Sequence, residues 1–261
     1  MYLINTETVR LKKFTSQQRL RYAILSHRWT KKEVYFADIS SKDFQLLSSS
    51  NKLQGAIKQA RQDGFKYLWI DSCCIDQQSS AELSEAINSM YRWYQAADAC
   101  YIYLQDLDVE NWQESLGKSK WFTRGWTLQE LLAPRKAVVY DSRWRFLGDK
   151  VAMADKISSI TGIPGEALRT GDLNPYSVAQ KMAWAAKRVT TRPEDQAYCL
   201  MGLFDVNMPL LYGEGGYRAF VRLQEEIIRH SDDHSIFAWS MGKRRAAGLL
   251  APAPSRFSGS Q

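Results

Sequence analysis

Four short apolar segments that alternate with helical segments constrain the fold of this chain more than any other feature. The segments have the length of strands and read YAILS at 22–26, YLWID at 67–71, CYIYL at 100–104 and AVVYD at 137–141. The spacing of apolar residues predicts helices between them, at 51–63, 81–94 and 126–133. Because parallel strands need long crossover connections, this alternation predicts an α/β fold with a parallel sheet flanked by helices.

The second half of the chain is mainly helical in pattern. Helical spacing is found in four stretches, at 145–160, 177–188, 193–204 and 217–230. A last strand is predicted at 235–239, and the mixture of basic, Gly, Pro and Ser residues after it is typical of a linker. We therefore predict an α/β core at 1–142, a helical extension at 143–240 and a linker or tail at 241–261.

Charge, cysteine and histidine content argue against several kinds of site. The net charge is +7, but lysine and arginine are spread along the chain without an arginine-rich tail, so we expect no nucleic-acid partner. The four cysteines lack CxxC spacing and the three histidines are scattered, so no metal site is predicted. The chain has neither an apolar signal core nor a run of about 18 apolar residues, so we expect a reduced, soluble, cytoplasmic protein without a membrane span.

Polar residues that follow the predicted strands indicate a ligand site, because ligands of such sheets bind beyond the carboxyl ends of the strands. These residues are, in chain order, Ser26, His27, Arg28, Trp29, Asp71, Ser72, Cys73, Gln105, Asp106 and Asp141. No GxGxxG or GxxxxGK[ST] string occurs near them, so a nucleotide would have to be held in another way.

The predicted helix at 126–133, which ends before Pro134, carries the strongest catalytic candidate. Three leucines, at 128, 131 and 132, fall on one side of it and can face a core. Trp126 and Glu130, four residues apart, fall together on the other side. A carboxylate beside an aromatic wall in a partly closed cleft suits a reaction through a cationic intermediate. The alternative is a solvated glutamate on a surface helix, with Trp126 packed under a loop.

Other candidates have a structural interpretation beside the functional one. A histidine at a strand end, such as His27, is often structural, whereas an acid at this edge, such as Asp71, favours a site. Cys73 and Cys74 are predicted to be small core residues, since no histidine is tied to them by sequence. Arg124 either contacts a phosphate or pairs with a nearby acid.

Four strings in this chain resemble one fungal family. The strings are YAILSHRW, GFKYLWIDSCCIDQQSSAELSEAINSMYRWYQAADACYIYL, SKWFTRGWTLQELLAP and TTRPEDQAYCLMGLFDVNMPLLYGEG, spread over most of 22–239. They are similar, in the same order, to the heterokaryon incompatibility (HET) domain. The resemblance implies a cell-death effector of fungal non-self recognition, often followed in the full-length protein by a nucleotide-binding receptor module and repeats.

HET domains are in turn distantly similar to Toll/interleukin-receptor (TIR) domains, which implies a TIR-like (flavodoxin-like) sheet. TIR domains that cleave NAD carry their glutamate in a Trp-Cys-x-x-Glu string on the helix after the third strand. WTLQE at 126–130 has the same place and spacing, with Thr127 in the cysteine position. The similarity therefore implies that Glu130 is catalytic and that NAD, or a related nucleotide, is a candidate substrate, with no separate cofactor.

Residue positions and the similarity together predict a set of substrate-binding residues, which are Ser26, His27, Arg28, Trp29, Asp71, Arg124 and Trp126. A carboxylate such as Glu130 would stabilise the oxocarbenium ion that forms when the nicotinamide–ribose bond breaks. Arg28 could pair with the pyrophosphate. Asp195 and Glu214 lie in a segment that TIR domains lack, and they are predicted to hold the helical extension in place.

TIR enzymes complete their site across neighbouring copies, so the similarity also implies self-association. The alternative function is a non-catalytic signalling module that triggers death through protein–protein interaction. Replacement of Glu130 separates the two, since only the enzyme depends on that carboxylate.

Overall fold

The computed structural model of the chain describes residues 1–15, 20–41, 49–108, 110, 112–241 and 248–260. It has two compact units, whose segments alternate along the chain. The first unit consists of Met1–Ala86, Trp93–Trp121 and Pro134–Ala152. The second consists of Ile87–Arg92, Phe122–Ala133 and Met153–Gln261.

The first unit is built on a mixed sheet of seven strands. In chain order these are β1 (Tyr2–Asn5), β2 (Arg10–Lys13), β3 (Ala23–His27), β4 (Tyr67–Trp69), β5 (Ala99–Tyr103), β6 (Ala137–Tyr140) and β7 (Phe146–Asp149). Their order across the sheet is β2-β1-β4-β3-β5-β6-β7. The central strands β4, β3, β5 and β6 are parallel, whereas β1, β2 and β7 are antiparallel to their neighbours.

The four strands expected from the apolar segments are confirmed, and they form the parallel centre of the sheet. Strands β3 and β5 are buried at every position, as expected for parallel strands covered on both faces. The prediction of a wholly parallel sheet is wrong at the edges, because tight connections also allow antiparallel partners there. The four parallel strands have the order second, first, third, fourth in chain sequence.

The described helices of the first unit are α1 (Phe36–Ser41), α2 (Asn51–Gln62), α3 (Asp71–Cys74), α4 (Ser80–Ala96, whose residues 87–92 belong to the second unit) and α5 (Trp112–Ser115). Two of them, α2 and α4, follow the predictions at 51–63 and 81–94 closely, and the three shorter ones were not predicted. Ser50 and Ser79 cap α2 and α4, since their side chains accept hydrogen bonds from backbone amides three residues on. The short helix α3 differs from the prediction, which placed Asp71 in a strand; β4 ends at Trp69 and Asp71 begins α3.

The second unit is helical. Its helices are α6 (Thr127–Leu132), α7 (Ala154–Thr161), α8 (Gly165–Thr170), α9 (Val178–Ala185), α10 (Asp195–Tyr198) and α11 (Gly216–His230), with 3₁₀ turns at Met201–Phe204, His234–Phe237 and Pro254–Phe257. Helix α11 buries Phe220, Leu223 and Ile227 along one face, as its spacing predicts. The strand expected at 235–239 is wrong, because the chain forms a 3₁₀ turn at His234–Phe237, capped by the Asp233 side chain.

The structure divides the chain differently from the boundaries expected at 142 and 240. Residues Phe146–Asp149 belong to the sheet, because β7 pairs with β6. At the other end, Ala251 and Phe257 are fully buried. The backbone of Ala251 exchanges two hydrogen bonds of 2.9 Å with the side-chain amide of Gln224 on α11. The expectation of a linker is therefore wrong for 248–260, while 242–247 lie outside the described residues.

None of the described helices combines the length and the apolar character needed to cross a membrane.

Candidate functional site

The predicted site residues are divided between the two units. The first unit holds Ser26, His27, Arg28, Trp29 and Asp71, and the second holds Arg124, Trp126 and Glu130. The two groups are described separately below, as the strand-end cluster and the helix cluster.

The strand-end cluster is centred on Asp71. His27 ends β3, and Asp71 begins α3 just beyond β4, so neighbouring parallel strands bring the two side chains together. His27 Nε2 lies 2.8 Å from Asp71 Oδ1, and Trp29 Nε1 donates to Asp71 Oδ2 at 2.6 Å. The backbone amide of Ser72 donates to Oδ1 at 2.7 Å. His27, Trp29 and Asp71, which follow two neighbouring strands, are therefore in direct contact.

These contacts keep Asp71 ionised. Burial by itself raises the pKa of the carboxyl, but the charge of His27 and the hydrogen bonds from His27, Trp29 and Ser72 outweigh it. The pKa of Asp71 therefore lies below its usual value. Since an ionised carboxylate only accepts hydrogen bonds, Nε2 of His27 carries the proton that it donates to Asp71.

Lys52 and Glu33 complete the strand-end cluster, and sequence reasoning missed both. Lys52 Nζ lies 2.8 Å from Nδ1 of His27 and donates to Glu33 Oε1 at 2.5 Å. Both ring nitrogens of His27 thus contact side chains of the protein. This arrangement favours a structural role for the histidine. One signal was available for Lys52: it lies in the first turn of α2, where the helix dipole disfavours a cation unless an acid is close.

The remaining strand-end candidates have different surroundings. Ser26 is fully buried, and its Oγ accepts a hydrogen bond of 2.9 Å from Trp121 Nε1. This is a core contact, in contrast to the predicted ligand contact. The Arg28 side chain is exposed, and its backbone carbonyl accepts from Lys52 Nζ at 3.3 Å.

The helix cluster begins with α6. Its three leucines, at 128, 131 and 132, are buried, as their spacing predicts. Glu130 is only 3% exposed, so the alternative of a solvated surface glutamate is wrong. Trp126 Nε1 donates to Asp195 Oδ2 at 3.2 Å, and the Tyr212 hydroxyl donates to Oδ1 of the same carboxylate at 3.0 Å. Trp126 therefore has a fixed polar partner in the same unit.

Arg188, which sequence reasoning also missed, lies just beyond α9. Its Nη1 donates to the carbonyl of Arg124 at 2.9 Å and to Thr127 Oγ1 at 3.0 Å. Burial lowers the pKa of Arg188 to about 10, against the opposing effects of Cys199 and Glu130. The guanidinium therefore remains protonated at neutral pH, and Glu130 is close enough to influence it electrostatically. No local pattern marks Arg188, because its partners are some 60 residues away in sequence.

The other carboxylates of the second unit bind partners within that unit. Burial raises the pKa of Asp195, although the hydrogen bonds from Trp126 and Tyr212 lower it. Glu214 Oε1 accepts from the Tyr198 hydroxyl at 2.8 Å and pairs with Arg222 at 2.5 Å. Arg124 donates to Thr191 Oγ1 at 2.7 Å. Its predicted role at a phosphate stays a prediction.

The cysteines behave as core residues. All four are buried and free, and burial raises the pKa of the Cys73 thiol and brings that of Cys74 to about 12. Neither thiol is a thiolate at neutral pH, which agrees with the predicted core role. Within the described ranges, no three His, Cys, Asp or Glu side chains are grouped so as to hold a metal ion.

Comparisons with known proteins bear on the family. A family model described as heterokaryon incompatibility protein (HET) matches residues 22–111, and a domain of unknown function (DUF8212) matches 218–257. The chain is 46% identical over 218 residues to the vegetative incompatibility protein HET-E-1 of Podospora anserina; the match covers 79% of this chain and 16% of the relative. No solved structure matches significantly. The resemblance inferred from the sequence strings is thereby confirmed, and the chain belongs to the heterokaryon incompatibility (HET) family.

Proposed function

We propose that this chain is a cell-death effector of fungal heterokaryon incompatibility. The support is its identity to a relative named as a vegetative incompatibility protein. Because the chain spans only 16% of that relative's length, we further propose that the natural protein continues into a nucleotide-binding receptor module that controls the effector in the cytoplasm.

For the chemistry, we propose hydrolysis of NAD at the nicotinamide–ribose bond, with Glu130 as the catalytic residue. The observation that carries this proposal is the placement of Glu130 on α6, 3% exposed, one helical turn after Trp126. The WTLQE string and the flavodoxin-like order of the parallel strands are the features that this chain has in common with TIR enzymes.

In the proposed reaction, the bond between ribose C1′ and the nicotinamide nitrogen breaks and its electron pair leaves with nicotinamide. The ribose then carries an oxocarbenium ion, which the ionised Glu130 stabilises in a site of low dielectric constant. Water adds to C1′ and releases a proton, so the products are nicotinamide, ADP-ribose and H⁺. The guanidinium of Arg188 is close enough to Glu130 for the two side chains to interact electrostatically.

The burial of Glu130 has a consequence for regulation. A side chain that is 3% exposed is not accessible to a nucleotide, so the isolated chain is proposed to be nearly inactive. Self-association, as in TIR enzymes, would shift the chain to a state in which Glu130 is open.

The test is nicotinamide release from NAD by the chain alone and by the chain fused to an oligomeric coiled coil. We expect release by the fused form, and a loss on the order of 100-fold or more in Glu130→Gln. Glu225→Gln, on the exposed side of α11, is the matched control and is expected to keep the activity of the parent. Circular dichroism shows whether each variant is folded.

A second function is a non-catalytic module that kills by recruiting another protein. The observation in its favour is that Glu130 is buried and close to the guanidinium of Arg188. A glutamate with a purely structural role would have the same surroundings. A folded Glu130→Gln variant that is as lethal to cells as the parent would support this function and would exclude NAD hydrolysis as the cause of death.

A further inference from the structure

The carboxylate of Asp195 joins two aromatic side chains of the second unit. Asp195 begins the short helix α10 and is 6% exposed. Its Oδ2 accepts from Nε1 of Trp126, just before α6, and its Oδ1 accepts from the hydroxyl of Tyr212, just before α11. This one carboxylate therefore links three parts of the chain that are far apart in sequence.

The partners of Asp195 are unusual for a buried acid. Burial raises the pKa of its carboxyl, and Arg124 and Arg192 oppose that rise electrostatically. The hydrogen bonds that it receives in the described part of the chain, however, come from neutral aromatic groups. A neutral acceptor could receive the same two bonds without the cost of burying a charge. What the ionised carboxylate adds is strength, since a hydrogen bond to a charged acceptor is about twice as strong as a neutral one.

The two rings held by this carboxylate reach the protein surface. Trp126 and Tyr212 are half-buried, whereas Trp69 and Trp121 are fully buried in the core. The guanidinium of Arg192 lies over the Tyr212 ring, 4.2 Å from its centroid. No ring or cation of the described residues stacks on the indole of Trp126. The protein therefore fixes this indole by its N–H group without using the ring for stacking of its own.

Trp126 is one helical turn from Glu130. Its backbone dihedral angles are helical (φ −59°, ψ −34°), so positions 126 and 130 lie on the same side of the helix. We infer that Asp195 is a positioning residue of the proposed NAD site, which holds the indole of Trp126 in the orientation that stacks on the nicotinamide ring. This inference rests on the proposed function, because it takes Glu130 to act at the ribose that carries this ring.

Kinetics of the chain fused to the oligomeric coiled coil test the inference. Asp195→Ala removes the acceptor, whereas Asp195→Asn keeps a neutral acceptor in its place. We expect the KM for NAD to rise about tenfold in Asp195→Ala and by less in Asp195→Asn. The kcat should stay nearly unchanged, in contrast to Glu130→Gln. Tyr198→Phe is the matched control: it removes a hydroxyl that donates to another carboxylate, Glu214, at 2.8 Å, and it is expected to leave KM unchanged.

Two further measurements do not depend on turnover. The indole N–H resonance of Trp126 in the ¹H–¹⁵N spectrum of the chain is identified by its loss in Trp126→Phe. We expect this resonance to move upfield in Asp195→Ala and to stay in place in Tyr198→Phe. Isothermal titration calorimetry of the fused Glu130→Gln chain with NAD measures affinity alone, and added Asp195→Ala is expected to weaken it about tenfold.

The outcomes separate this inference from the proposed hydrolysis. NAD binding that Asp195→Ala weakens, without nicotinamide release by the parent, supports the positioning role and excludes the hydrolysis. Nicotinamide release with the same KM in the parent and in folded Asp195→Ala overturns the positioning role and retains the hydrolysis. Absence of both binding and release overturns both. If Asp195→Ala does not fold, Asp195→Asn decides by the same measurements.

Discussion

At the residue scale, several buried ionisable side chains have hydrogen-bond partners that are far away in sequence. The strand-end cluster is the first example. In the strand-end cluster, Lys52 and Asp71 contact the two nitrogens of His27, so a ligand that bound either nitrogen would have to displace one of these side chains. We infer that the cluster fixes the ends of β3 and β4, while the predicted substrate-binding role of its residues stays a prediction.

Lys150 provides a prediction at the same scale. It is 2% exposed, its Nζ donates to the carbonyl of Pro134 at 2.5 Å, and burial lowers its pKa to about 8. Between that value and the unfolded pKa of about 10.4, the unfolded state binds more protons. This group therefore makes the folded state more stable as pH rises through that window.

We expect the free energy of unfolding of the parent, relative to Lys150→Met, to increase by up to about 3 kcal/mol between pH 7 and pH 10. Urea denaturation at several pH values measures it. Lys136→Met, at an exposed lysine, is the control and should give a difference that does not change with pH. A constant difference between parent and Lys150→Met would contradict a depressed lysine pKa.

Residue roles could be predicted only where the information is local. The spacing within 126–133 placed the three leucines in the core, because residues three and four apart lie on the same side of a helix. The burial of Glu130 could not be read from that spacing. Lys52 and Arg188 were missed because their partners are brought to them by tertiary structure.

At the scale of elements, helix α2 contains a glycine where the packing permits no larger residue. A Cβ on Gly55 would lie 2.0 Å from Nε1 and 2.2 Å from Cδ1 of Trp144. The indole is stacked on Tyr103, with ring centroids 4.9 Å apart, and Trp144 has a positive φ of 61° in the turn after β6. The ring therefore has little freedom to move away.

Gly55→Ala is expected to reverse the usual helix preference. In an unobstructed helix this change stabilises by about 1 kcal/mol. Here the clash with Trp144 should destabilise the chain by about 1–3 kcal/mol, as overpacking typically does. Chemical denaturation measures the change, and Lys58→Ala on the exposed side of α2 should be nearly neutral. A Gly55→Ala variant more stable than the parent would show that the Trp144 indole can move away from position 55 at little cost in free energy.

The strands that could be predicted are those that the sheet buries on both faces. The central strands are apolar runs, but β2 reads RLKK and β7 reads FLGD, and neither has an apolar or alternating pattern. They are strands because the neighbouring strand offers hydrogen-bonding partners. The opposite error occurred at 235–239, where a short apolar run has the composition of a strand but no strand partner, and Ile236 is buried in a 3₁₀ turn instead.

At the scale of the whole molecule, the folded part of the chain extends further than composition indicates. The tail at 248–260 is rich in Gly, Pro and Ser, yet Ala251 and Phe257 are fully buried in the second unit. The Gly, Pro and Ser content of such a segment does not show that two of its side chains, Ala251 and Phe257, are buried. For the same reason, the predicted boundary at 240 was placed too early.

Phe257→Ala is therefore expected to lower the stability of the chain by about 3–5 kcal/mol, as loss of a fully buried phenylalanine does. The reason is the cavity that the ring leaves. Thermal unfolding and protease resistance measure the effect. Ser258→Ala, at the next and exposed position, serves as the control. If the two variants unfold at the same temperature, the tail is not anchored as described.

The alternation of the two units along the chain limits how this domain can be moved between proteins. Residues 87–92 belong to the second unit and 134–152 to the first. A recombination breakpoint anywhere between 92 and 134 would therefore divide each of the two units. A fragment trimmed to the matched segment at 22–111 would lack β1, β2, β6 and β7. A recombination event that transfers this domain to another protein therefore has to keep residues 87–152 together.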